Sequence, residues 1–241
     1  MRVLPPTPED LKQGEKMTEH PILFSGQMVR AILEGRKTMT RRVIKPWPAD
    51  PCGGFRLMDD GKTFMDFSMM VMGEPDNFDF NSEYTCPYGV PGDRLWVREA
   101  HIFDWDEELQ DLILTFKADG EQHFIQDNAG RISLEQCNKW RPSIHMPRWA
   151  SRILLEVVSV RVERLQEISQ EDAIAEGIER VGGAASCSPW RNYLIGKPGE
   201  MSLHCSAPSR SFQTLWDSIN ASRGFGWDVN PWVWVIEFRK V

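Results

Sequence analysis

The segment EGRKTMTRR, residues 34–42, sets Arg36, Lys37, Arg41 and Arg42 around Thr38 and Thr40, directly after Gly35. Cations at this density attract an anion or an electron-rich ring. The two hydroxyls are weak nucleophiles that need a base before they can attack. A plainer role covers part of the charge, because Lys and Arg at a helix C-terminus complement its dipole. That role does not call for four cations and two hydroxyls. A second constellation lies in KWRPSIHMPRWASR, residues 139–152, where Arg141, His145, Arg148 and Arg152 interleave with Trp140 and Trp149. Alternating cations and aromatics suit stacking on bases while holding phosphates. The equal alternative is a segment that closes the fold, with its tryptophans in the core and its arginines paired to surface acids.

The chain as a whole is acidic, with 28 Lys+Arg against 35 Asp+Glu and a formal charge of −7. Indiscriminate binding to nucleic acid rests on summed phosphate neutralisation, and this balance argues against it. A local basic patch points instead to a small or well-defined target. With 241 residues, 41% of them hydrophobic, the chain can build a substantial core. Cys52, Cys86, Cys137, Cys187 and Cys205 are odd in number and contain no C-x-x-C, which fits reduced thiols in a cytoplasm. Cys86, Cys137, His145, His204 and Cys205 match no familiar zinc spacing, so no metal and no cofactor is expected. The first twenty residues lack the apolar region of a signal peptide. No apolar run reaches membrane-spanning length, so no membrane partner is expected.

These residues must be positioned by local elements. PILF (21–24) reads as a short strand. Ser25 is a fair N-cap for a helix near 25–34, with Met28, Val29, Ile32 and Leu33 at helical spacing and Gly35 ending it. The basic stretch is then expected to be the loop leaving that helix, with Arg41 and Arg42 exposed at its lip. Residues 1–20 read as a loose arm, and 21–241 as a single domain with insertions at about 46–82 and 180–208. The first insertion has room for a hairpin. Strands are expected at 94–98, 112–118 and 152–165, the last with a bulge near Val157-Val158. A helix near 170–176 starts at Ser169, with Asp172 placed for a capping box and Gly177 at its end. An amphipathic helix follows at 209–220. The final strand, 232–240, points Trp232, Trp234, Ile236 and Phe238 one way and Val233, Val235, Glu237 and Arg239 the other. Apolar residues on both faces make it a central strand. The fold class is α+β, mainly β, read as a small β-barrel with a few flanking helices and two long insertions.

The motif order PILFSGQMVRAILEGRKTMTRR, PGDRLWVRE, LQEISQEDAIAEGI and WVWVIEFRKV resembles the ASCH domain, a PUA-like β-barrel superfamily associated with RNA. CPYGVPGDRLWVRE and WRPSIHMPRWASRI add a similarity to uncharacterised ASCH-like proteins of tailed phages and prophages. The resemblance implies RNA or a modified nucleoside or nucleotide as partner, and the bacterial host cytoplasm as location if the chain is phage-encoded. It says nothing of protein partners. Small ASCH proteins include N4-acetylcytidine amidohydrolases, whose site takes a Lys and a Thr from a G-R-K-T-x-T segment and a Glu from a late helix. Carried over, these fall on Lys37 as base, Thr40 as nucleophile and Glu176 as proton donor, with Glu171 and Asp172 as nearby acids. The ligand-binding set, read from the two constellations, is Arg36, Arg41, Arg42, Arg141, His145, Arg148 and Trp149. This chain is more than twice as long as those enzymes. Two other readings stand beside the hydrolase: a non-catalytic nucleic-acid-binding module of phage origin, and an ASCH-type nuclease.

Overall fold

The computed structural model describes residues 17–45, 55–57, 63–66, 82–108, 111–125, 132–133, 135, 137–182, 187, 189–195 and 204–241. Its strands are β1 (Glu19–Leu23), β2 (Met39–Val43), β3 (Phe55–Leu57), β4 (Thr63–Asp66), β5 (Ser82–Thr85), β6 (Arg94–Arg98), β7 (His101–Asp106), β8 (Asp111–Phe116), β9 (Gln122–Ile125), β10 (Leu154–Arg164), β11 (Trp190–Arg191), β12 (His204–Cys205) and β13 (Trp232–Lys240). Three α-helices accompany them: α1 (Gly26–Leu33), α2 (Gln170–Ala175) and α3 (Pro208–Asn220). The chain is therefore α+β and mainly β.

The main sheet has five strands in the order β1-β6-β10-β13-β2. β1 pairs β6 in parallel and the other neighbours are antiparallel. Among the described residues the sheet stays open, which corrects the expected closed barrel. It nevertheless curls. Four interstrand spacings would set β1 and β2 about 19 Å apart if it were flat, beyond the reach of any side chain. Yet the Arg42 guanidinium donates to the Leu23 carbonyl at 2.6 Å. A side chain, not a backbone ladder, spans the gap between the two edges.

β13 lies between β10 and β2, as its two apolar faces require. Trp234, Ile236 and Phe238 enter one core with Ile22, Phe24, Val29, Leu95 and Leu155. Val233 and Val235 enter a second core on the opposite face, with Met39, Leu165, Phe212, Leu215 and Trp216. The sheet is thus a partition, with α1 packed on the first side and α2 and α3 on the second. The β10–β13 register shifts between Val157 and Ser159, where the sequence pattern changes phase. Val158 is the extra residue and is half exposed.

Other expectations need adjusting. Residues 1–16 of the expected arm lie outside the described residues, and its last residues are not loose, because β1 begins at Glu19 and Asp93 accepts both the Thr18 amide and its hydroxyl proton. Within 46–82, β3 and β4 form a hairpin that extends onto β5. Most of the first insertion and part of the second lie outside the described residues. A separate sheet, β7-β8-β9, holds a third core around Phe103, Leu112, Leu114, Phe116 and Met146. Among the described residues no helix is long and apolar enough to cross a membrane.

Ile236 is fully buried in the central strand. Ile236→Ala is expected to cost about 2–5 kcal/mol of unfolding free energy in a denaturant titration. Val158→Ala, on the exposed bulge, should stay within about 0.5 kcal/mol. Equal costs at the two positions would contradict this burial pattern.

Candidate functional site

The segment 34–42 divides into a turn and a strand. Ser25 caps α1 by accepting from the Met28 amide, and Gly35 takes φ +73 just past its end. The Arg36 and Lys37 amides both return to the Ala31 carbonyl, at 2.9 and 3.0 Å. That reversal turns Lys37 inward. From Met39 onward the chain is not the expected loop but β2, an edge strand paired with β13. Strand alternation then sorts the side chains. Thr40 stands opposite Ile236 and shares its face with Arg42, while Met39 and Arg41 occupy the face of Val235 and α2.

Lys37 is among the large side chains that are fully buried. Its Nζ donates to the Met39 carbonyl at 2.7 Å, the Glu176 carbonyl at 2.8 Å and Glu176 Oε2 at 2.8 Å. Three donors meet three acceptors, so the ammonium is saturated. Burial pushes its pKa below the ordinary lysine range, against the pull of Glu176 and with help from Arg42 and Arg41. Glu176 reaches this point because α2 stops there. Ser169 Oγ accepts from the Asp172 amide at the start of α2, and Gly177 adopts φ +83 at its end. A bridge between Lys37 and Glu176, with the Thr38 amide donating to the Ala175 carbonyl, ties the two segments together. A Cβ on Gly177 would lie 2.7 Å from the Lys37 Cβ, so only glycine fits there.

The other acids take different roles. Asp172 does not close a capping box. Its carboxylate accepts from Arg41 at 2.6 Å and from Arg161 at 2.8 Å. Arg161 also binds Glu163 and Glu237, and Arg41 binds Glu163 at 3.0 Å. Glu171 is exposed. Arg41, expected at an exposed lip, is 4% exposed and braces α2 against the sheet. The inward face of β2 leaves it no route to solvent. Its Nη1 lies 3.5 Å from Glu176 Oε1, and that oxygen accepts no hydrogen bond among the described residues.

A cavity of about 250 Å³ runs along the free edge of β2. Thr40, itself buried, and Glu176 stand in its wall; Lys37 does not, and it meets the cavity only through its bond to Glu176. Arg42, Lys45 and Arg223 add cationic groups, while Tyr88, Trp216 and Phe225 add aromatic surface. Arg42 is half-buried, not exposed, and stacks 5.1 Å over Phe24. Arg36 lies outside this cavity, paired with Glu34 and donating to the Gly177 carbonyl at 2.9 Å.

The 139–152 constellation sits elsewhere and lines neither this cavity nor its neighbour. Trp149 packs in the third core, 5.5 Å from Phe103, and Arg148 makes a two-pronged pair with Glu19. Arg141 pairs through its backbone with His101 and lies 6.0 Å over Phe103. Trp149 and Arg148 follow the plainer reading. His145 is exposed in a one-turn 3-10 segment.

Reasoning from sequence missed Tyr88, Arg223 and Phe225 in the cavity, and Arg161, Glu163 and Glu237 beneath it. A charge on the inward face of β10 or β13 is a readable signal, because such a group needs a partner. The Arg223–Phe225 turn carries no such signal.

No protein-family model matches the chain, and neither a curated protein nor a solved structure shows significant similarity to it.

Removing Lys37 alone strands a buried carboxylate. Lys37→Met is therefore expected to cost about 3–5 kcal/mol in equilibrium unfolding. Lys37→Met with Glu176→Gln should recover a substantial part of that loss. A double variant as unstable as the sum of the two singles would show that the pair is not coupled.

Proposed function

We propose that the cavity beside β2 binds the base of a modified nucleoside or nucleotide and that the protein hydrolyses an amide on it, as an ASCH-like amidohydrolase of the N4-acetylcytidine type. The observation that carries this reading is Glu176 in the same cavity wall as Thr40, with Lys37 buried behind it and paired to its carboxylate. The curled sheet with a long central C-terminal strand supports a PUA-like relationship. Aromatic walls with cations at the margin suit a heterocycle.

The chemistry follows from the pair. Moving one proton from Lys37 Nζ to Glu176 Oε2, along their 2.8 Å bond, yields a neutral amine and a carboxylic acid. Burial favours that neutral form. The amine takes the Thr40 hydroxyl proton as Oγ1 attacks the acyl carbon. Glu176 gives its proton to the departing nitrogen, and the C–N bond breaks. Water then cleaves the threonyl ester, releasing the carboxylic acid and restoring Thr40. Arg42 stands in the cavity wall as a cation for the developing oxyanion.

A binding module without turnover is the second reading. It is favoured by the saturation of Lys37, whose three protons are already bonded.

Incubation with N4-acetylcytidine, followed by mass detection of cytidine, separates the two. Thr40→Val should abolish release, and Thr38→Ala, at an exposed position, should be far milder. Lys37→Arg should fail, since a guanidinium is no base at neutral pH. Lys37→Met combined with Thr40→Val should be scarcely slower than either single variant. Release by folded Thr40→Val protein would remove the nucleophile assignment and leave the binding module.

The working pair holds one transferable proton. A second proton silences the base, and loss of the first silences the acid. The profile of kcat/KM against pH should therefore be bell-shaped. Its alkaline limb should fall below the ordinary lysine range, because burial lowers the Lys37 pKa. A rate that rises steadily through that range would contradict the shared-proton mechanism.

A further inference from the structure

A second cavity, of about 340 Å³, adjoins the one beside Thr40. Met28, Glu176 and Leu215 stand in the walls of both, so the two are neighbours, two lobes with Glu176 between them. Their linings differ in character. The second lobe carries Arg30, Arg36, Arg180 and Arg191 against Glu34 and Glu179. Glu176 is already matched by Lys37 and Arg41. Four cations against the two remaining acids leave this lobe with an excess of two positive charges.

Three of the arginines are anchored without being exhausted. Arg30 donates to the Ala118 carbonyl, Arg36 to Glu34 and the Gly177 carbonyl, and Arg191 to Glu179. Each guanidinium has five N–H donors, so each keeps some in reserve. Arg180 is exposed and has no side-chain partner among the described residues. Tyr193 accepts the Glu179 amide at 2.9 Å, leaving its own hydroxyl proton for another acceptor. Fixed guanidinium forks with spare donors are what a phosphate group selects.

We propose that this second lobe receives the phosphate of a nucleotide whose base occupies the lobe beside Thr40. The preferred ligand class is then a phosphorylated nucleoside, not a free nucleoside. This rests on the base-binding reading of the first lobe. Size supports it too: the first lobe alone falls short of the roughly 300–1,000 Å³ typical of small-molecule sites, and the two together fall within that range. The phosphate can belong to a free nucleotide or to the end of an RNA strand.

Isothermal titration of the full chain at low ionic strength tests the proposal. The probes are cytidine, cytidine 5′-monophosphate and a hexaribonucleotide ending in a phosphorylated cytidine. Cytidine monophosphate or the hexamer should bind at least tenfold more tightly than cytidine. Raising the salt should shrink that ratio. In Arg36→Ala with Arg180→Ala the ratio should fall to about two. Whichever phosphorylated probe shows the preference identifies the source of the phosphate. Cytidine that binds with no gain from the phosphate would overturn this inference and spare the base pocket. A preference that persists in the double variant would also overturn it, by moving the phosphate elsewhere. Binding of none of the three probes would overturn the inference and the base-pocket reading together.

Discussion

A charged amine with no access to water organises this molecule. Lys37 Nζ touches the backbone of β2 through Met39, and both the backbone and side chain of Glu176 at the end of α2. A buried ammonium is tolerable only when its donors are all met and a counter-charge is close. Three segments must therefore arrive together: the reversal after α1, the start of β2 and the stop of α2. Gly35 and Gly177 make two of those arrivals possible, since each occupies a left-handed backbone position. Gly177 has the added duty of leaving room for the Lys37 Cβ.

Around that contact the structure stacks charge in alternation. Lys37 and Arg41 face Glu176, and Arg41 and Arg161 share Asp172 and Glu163. Each ion has a partner that is itself held by another ion. Removing one member leaves its neighbours incompletely neutralised in a poorly solvated place. Such a network adds little to stability over an apolar core, but it fixes geometry. It braces α2 against β2 and β10, and so holds Glu176 at the cleft. The cost of burying charge falls where the proposed chemistry needs a lysine that gives up a proton.

The four cations of the opening segment end in four environments. Arg36 stays at the surface and ties the turn to Gly177. Lys37 goes to the interior. Arg41 and Arg42 leave β2 on opposite faces, one toward the acids beneath α2 and the other toward Phe24 and the cleft. A period of two separates neighbours in a strand as no loop would. What looks in sequence like one basic patch is therefore a brace, a buried ion, a structural pair and a cavity wall.

Local physics made several features legible in the sequence alone. The α1 and α2 caps at Ser25 and Ser169, the left-handed glycines, the bulge at Val158 and the central place of β13 each follow from interactions within a few residues or from a simple apolar period. That Lys37 and Glu176 belong to one site was named only through a family resemblance, and their direct pairing not at all, because 139 residues separate the two and no local rule links them. The tertiary structure decided the rest. It set the sheet open instead of closed, buried Arg41, turned Asp172 from a cap into an ion-pair partner, and put Tyr88, Arg223 and Phe225 around Thr40. These outcomes depend on which faces meet once the sheet curls. Sequence spacing fixes the direction of a side chain relative to its own strand or helix, but the partner it finds there belongs to another part of the chain.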